Sequence, residues 1–112
     1  MRAGVASQLT ERAVAALRES RPNAVLVVKG DRLGDHWWEA LHESRARVVV
    51  WLYDELGRMS YTLDRLRHLG STLSYSRRDV VTLRDAGVDA GFLPDGFDSL
   101  TSVELRNRLS AA

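Results

Sequence analysis

The residues best placed for chemistry in this chain stand directly behind short apolar runs. Lys29 and Asp31 follow the run from Ala24 to Val28. Asp54 and Glu55 follow Arg47 to Tyr53, Ser76 and Arg77 follow Ser71 to Tyr75, and Asp95 follows Ala90 to Leu93. If these runs are parallel strands, the polar residues gather at one edge, because loops and helix N-termini converge beyond the carboxyl ends of a parallel sheet. Such an edge carries both signs and suits a polar ligand held by Lys29, Asp31, Asp54, Arg77 and Asp95. The same residues have plain structural uses as well. Asp35, Asp54 and Ser76 can cap helices, and Arg77 and Arg78 can simply be solvated. No catalytic group stands out among them.

Other chemistries lack their residues. The 112-residue chain contains no cysteine, which excludes disulfides, zinc-thiolate sites, iron-sulfur clusters and a thiol nucleophile. His36, His42 and His68 do not form the i, i+4 pair of a helical zinc site, and His42-Glu43 lacks the second histidine of His-Glu-x-x-His. No metal site is expected. Neither Gly-x-Gly-x-x-Gly nor a Gly-Lys-Ser/Thr loop occurs, so nothing cradles a nucleotide phosphate. Trp37, Trp38 and Trp51 could stack on a sugar or base, but their positions fit a core equally well. Sixteen Lys and Arg stand interleaved with fifteen Asp and Glu, for a net charge of +1, so no nucleic-acid partner is implied.

The elements that must position the edge follow from periodicity. Leu9, Ala13, Ala16 and Leu17 form one stripe of an amphipathic helix from about Ala6 to Ser20, ending before Pro22. Ala24 to Val28 is a continuous apolar run suited to a strand buried on both faces. Asp35 can cap a helix through His36, Trp37, Trp38, Ala40 and Leu41, and Arg47 to Tyr53 reads as a second strand. A third helix carries Met59, Leu63 and Leu66, with Gly70 as a left-handed cap, before strand three at Ser71 to Tyr75. Ser76-Arg77-Arg78-Asp79 has capping-box spacing and opens a helix through Val80, Leu83 and Ala86 that Gly87 ends. Ala90 to Leu93 makes strand four, Pro94-Asp95-Gly96 a turn, and Leu100 to Ser110 a last helix capped by Asp98 or Ser99.

Strands separated by single helices predict right-handed βαβ crossovers. The expected fold is therefore an α/β, truncated Rossmann-like, three-layer parallel sheet of about four strands, with a C-terminal helix. Residues 1–97 would form the partial domain and 98–112 the appended helix; the opening βα unit of a nucleotide-binding sheet is expected to be missing. The apolar runs are far shorter than the roughly 20 residues that span a bilayer. Glu11 and Glu19 weigh against a transit peptide in the first helix. A cytoplasmic protein without membrane contact is expected.

Two family resemblances give these residues more specific roles. Pro22-Asn23-Ala24-Val25-Leu26-Val27-Val28-Lys29-Gly30-Asp31, Val50-Trp51-Leu52-Tyr53-Asp54, Ser74-Tyr75-Ser76-Arg77-Arg78-Asp79, Ala86-Gly87-Val88 and Leu93-Pro94-Asp95-Gly96-Phe97-Asp98 resemble a CgeB/YkvP-type spore-maturation glycosyltransferase over about residues 12–98. The resemblance implies the later part of the N-terminal, acceptor-side domain of a GT-B fold. It implies an acceptor at Lys29, Asp31, Asp54, Arg77 and Asp95, and no cofactor. A donor-binding domain or partner chain would be needed for transfer; self-association is the other partner considered. Gly96-Phe97-Asp98-Ser99-Leu100-Thr101-Ser102-Val103-Glu104-Leu105-Arg106-Asn107-Arg108-Leu109 resembles the second helix of a polyketide-synthase acyl carrier domain. That resemblance implies 4′-phosphopantetheine on Ser99, with a phosphopantetheinyl transferase and a synthase as partners. A simple helix cap is the alternative use of Ser99. A non-catalytic interaction module or remnant is the third reading. The two likenesses meet near Gly96, as at a junction between two ancestries.

Overall fold

The structure is a computed structural model that describes the backbone of residues 3–94 and 99–110, with side chains over 7–94 and 103–110. In chain order it forms α1 (Ala3–Ser20), β1 (Ala24–Val28), α2 (Asp35–Ser44), β2 (Arg47–Trp51), a 3-10 turn (Leu56–Arg58), α3 (Leu63–Leu69), β3 (Ser71–Ser74), α4 (Arg77–Asp85), β4 (Asp89–Phe92) and α5 (Ser99–Ser110). The four strands make one all-parallel sheet, so the expected α/β class is the observed one. Two compact units divide these elements. One holds α1, α2 and the segments through Asn23 and Arg32–Ala46; the other holds the sheet with α3, α4 and α5.

In the helical unit, α1 starts at Ala3, three residues before its expected start, and packs along α2. Its buried stripe is Thr10, Val14 and Leu17, rotated from the expected one, and Leu9 stays exposed. A polar residue lies inside because its hydroxyl has work there: Gly34 N–H donates to Thr10 Oγ1 at 3.0 Å. Gly34, not Asp35, is the N-cap of α2, and Asp35 is its first helical residue. Trp38 Nε1 donates to Leu33 O at 3.1 Å, and His36 Nδ1 lies 2.6 Å from Glu11 Oε1. Thr10 and Glu11 of α1 are thereby tied to Gly34 and His36 at the start of α2.

In the sheet unit the strand order is β1-β2-β3-β4, with Val25 opposite Val48, Val49 opposite Ser71 and Leu73 opposite Gly91. Side chains alternate between faces. Val49 and Leu73 share one face, where with Leu93 they form a buried cluster against Leu105 and Leu109 of α5. α3 packs against β2 and α4 against β3 and β4, with Leu66, Val80 and Leu83 buried. Arg108 fixes the far end of α5. Its Nη1 donates to Asp89 Oδ1 at 2.9 Å and to Ser71 Oγ at 3.2 Å, and its Nε donates to Glu104 Oε1 at 3.1 Å. Gly91 makes the room, since a Cβ there would stand 2.6 Å from Arg108 Nη2.

Two boundaries differ from expectation for local reasons. Met59 lies outside α3, because the 3-10 turn precedes it and Thr62 Oγ1 caps the helix by accepting from Arg65 N–H at 3.0 Å. Gly70 is not left-handed: its φ of 162° is extended backbone, and its need for glycine is steric. Gly87, at φ 85°, does take the left-handed position, and the N–H groups of Gly87 and Val88 donate to Arg84 O and Leu83 O.

The middle of β3 contains one uncompensated polar group. Thr72 is fully buried and its Oγ1 has no hydrogen-bond partner among the described residues. Burial of an unpaired hydroxyl costs about 1–3 kcal/mol, and valine has the same shape without it. Thr72→Val is expected to raise unfolding free energy by about 1 kcal/mol, read as a higher urea midpoint at unchanged slope.

Candidate functional site

The carboxyl ends of the strands are joined to one another by backbone and side-chain bonds. Three of the four strands are continued by one residue: Lys29 N–H donates to Trp51 O at 2.8 Å, Leu52 N–H to Leu73 O at 3.0 Å, and Leu93 N–H to Ser74 O at 2.8 Å. Beyond them the loops interlock. Tyr61 Oη donates to Lys29 O, Ser60 N–H donates to Asp31 Oδ2 at 2.9 Å, and Leu56 N–H donates to Asp79 Oδ2 at 2.8 Å. The loop after β1 is thus held by the loop after β2, which is held in turn by the first turn of α4.

This network redistributes the roles read from sequence. Asp31 is half-buried and committed to Ser60. Asp54 accepts from Glu55 N–H at 2.8 Å, and Arg58 stands 3.8 Å from it. Ser76 caps α4 by accepting from Asp79 N–H at 3.2 Å, as the capping box predicts, but Asp79 returns its carboxylate to Leu56 and not to Ser76. Ser76 N–H instead donates to Ser74 Oγ at 3.1 Å. The guanidinium of Arg77 sits over the Phe92 ring, 4.1 Å from its centre, a cation-π contact that spans the ends of two strands. Lys29 is exposed, with a left-handed backbone at φ 64°. Asp95 lies outside the described residues, as do Asp98 and the junction at Gly96. Lys29, Asp31, Asp54 and Arg77 therefore share one edge, as expected, with much of their bonding capacity already used internally.

The edge also differs from the crevice of a doubly wound sheet. There a ligand enters where the strand order reverses. Here each strand pairs with its successor, so the described strands contain no reversal. The edge is a shelf of loops and not a split between two helices. A groove of about 520 Å³ exists within the helical unit, lined by Leu17, Arg18, Arg21, Ala40, Glu43 and Ser44, and none of the edge residues borders it.

Sequence reasoning missed two residues of the edge. Tyr61 is one: burial raises its hydroxyl above the usual 10.0, Asp31 raises it further, and Arg65 partly opposes this. A phenol with a raised folded-state value keeps its proton in the fold after the unfolded chain has lost it. Stability is then intact below pH 10 and falls as pH climbs above it. Tyr61→Phe is expected to cost about 1 kcal/mol at neutral pH, from the bond to Lys29 O, and to flatten this alkaline loss in denaturant melts. Tyr53 is the other. Its ring packs edge-on against Trp51 at 5.4 Å, and its backbone is left-handed at φ 61°, unusual for a bulky residue. No motif signals it, since the strain exists only once Leu52 has joined β3.

Among the described residues no group of three or more potential metal ligands is assembled, and no helix is long and apolar enough to cross a membrane. Comparisons with protein-family models, with curated proteins and with solved structures found no match to this chain.

Proposed function

We propose that this chain is the acceptor-side half of a GT-B-type glycosyl-transfer protein, binding a ligand at the strand-end shelf and performing no transfer alone. The observation that carries this reading is the interlocked set of bonds from Tyr61 to Lys29, Ser60 to Asp31 and Leu56 to Asp79. Loops fixed before a ligand arrives lose little entropy on binding it, as a recognition surface requires. The donor site would come from another domain or chain. The test is an amide-resonance titration with simple methyl glycosides, alongside a transfer assay with nucleotide sugars. Shifts at residues 29–31, 54–60 and 76–79 without turnover fit the proposal; absence of shifts there, or turnover by this chain alone, sinks it.

A second reading concerns Ser99. It is the first residue of α5, at the helix N-terminus, where backbone N–H groups favour an attached phosphate. The carrier likeness assigns 4′-phosphopantetheine to that position. Against it stands the use of Leu105 and Leu109 to cover the sheet, where a carrier helix would join a helical bundle. Intact mass before and after incubation with coenzyme A and a permissive phosphopantetheinyl transferase decides between them, with Ser99→Ala as control. A Ser99-dependent gain of one phosphopantetheine makes the chain an acyl tether; no gain in the folded chain leaves the acceptor-side reading.

A further inference from the structure

Three features of Tyr53 coincide at the carboxyl end of β2. The residue is 56% exposed, its backbone is left-handed, and Trp51 buttresses the ring edge-on. A large aromatic in this conformation is strained, and strain persists only where the surroundings enforce it. Here they do. Leu52 is fully buried and bonded to β3, which leaves Tyr53 to turn the chain toward Asp54. The neighbouring strand end adds apolar surface, with Val28 opposite Trp51 in the register and itself 51% exposed.

The loops at the same strand ends carry charges of both signs, and these bear on the ligand. Lys29, Arg58 and Arg77 would repel a cation, while Asp31, Asp54, Glu55 and Asp79 would repel an anion. A neutral molecule rich in hydroxyls can donate to the carboxylates and accept from the cations without either cost. The C–H bonds on one face of a pyranose carry slight positive charge and complement the negative face of an aromatic ring. We infer that Tyr53 is a stacking platform for the ring of a neutral sugar, with Lys29 and Asp54, on the same strand-end edge, as hydroxyl partners. This rests on the acceptor-side reading and assigns its contact residue.

The test follows the Trp51 Nε1–H resonance and the strand-end amides in the full chain during titration with the methyl glycosides of glucose, galactose and mannose. Glucitol, which has the hydroxyls but no ring face, is the comparison. At least one glycoside is expected to move Trp51 and the amides of residues 29–31 and 53–55, with glucitol inert. Tyr53→Phe retains the effect, and Tyr53→Ala weakens binding about tenfold or more with an unchanged circular dichroism spectrum. Binding that survives Tyr53→Ala, or is matched by glucitol, overturns the platform while leaving the acceptor-side reading standing. No strand-end response to any of the three glycosides overturns both.

Discussion

Replacing Gly70 by alanine is expected to destabilise the sheet unit by about 3 kcal/mol or more, the upper range for overpacking, and to lower Tm by on the order of 15 °C. A Cβ at this position would lie 2.3 Å from Val48 O and 3.3 Å from Val48 C. Both atoms belong to the backbone of β2, next to the pairing of Val49 with Ser71, so neither can rotate away. The chain must pass this close because α3 ends at Leu69 and β3 begins at Ser71, leaving one residue to turn from helix to strand. Gly57→Ala is the matched control, since its Cβ would meet nothing within 4 Å. A loss of stability in Gly57→Ala equal to that in Gly70→Ala would show that the clash is not the cause.

Leu73→Ala is expected to cost about 3 kcal/mol and to loosen α5 in particular. Leu73 is fully buried and joins Val49 and Leu93 to Leu105 and Leu109, so its removal opens a cavity under the helix. The polar ties from α5 to the sheet among the described residues lie near the surface: Arg108 to Asp89 and Ser71, and Arg47 Nη1 to Ser110 O at 2.7 Å. Exposed pairs of this kind contribute only about 0–1 kcal/mol each, too little to hold the helix by themselves. Hydrogen exchange should therefore accelerate across residues 103–110 more than in β2. Uniform acceleration would mean that α5 and the sheet unfold as one cooperative unit. Leu9→Ala, at an exposed site, should change stability by less than about 0.5 kcal/mol.

β1 and β2 were legible in the sequence because each contains a short apolar run bounded by polar residues, but β1 is not buried on both faces as such a run suggests: Leu26 and Val28 are exposed and only Val27 is buried. Ala24–Val28 matches its expected bounds fully. β3 is the exception in composition, since Ser-Thr-Leu-Ser is buried throughout. Its boundary was readable from Gly70 and Ser76, not from hydrophobicity. What the sequence could not supply was everything set by distant pairing. The stripe of α1 was misjudged because Thr10 is buried by a bond to Gly34, 24 residues away. The capping box at Ser76 was half right because Asp79 accepts from Leu56, 23 residues away, while Ser76 N–H donates to Ser74 Oγ. At the edge, the charged residues were readable from their positions behind the strands. Tyr53 and Tyr61 were not, because their roles arise from a left-handed turn and a loop-to-loop bond that leave no periodicity.

The successive order of the strands bears on how the polypeptide emerges from the ribosome. Every strand finds its partner in the strand made just before it, so no segment must wait for a later one before it can pair. Loop closure for each addition spans only one helix and its turns, which keeps the entropic barrier small at every step. Synthesis from the N-terminus can then add strands one by one to a growing edge. α5, reaching back across the sheet to Arg47, closes a long loop and is made after all four strands.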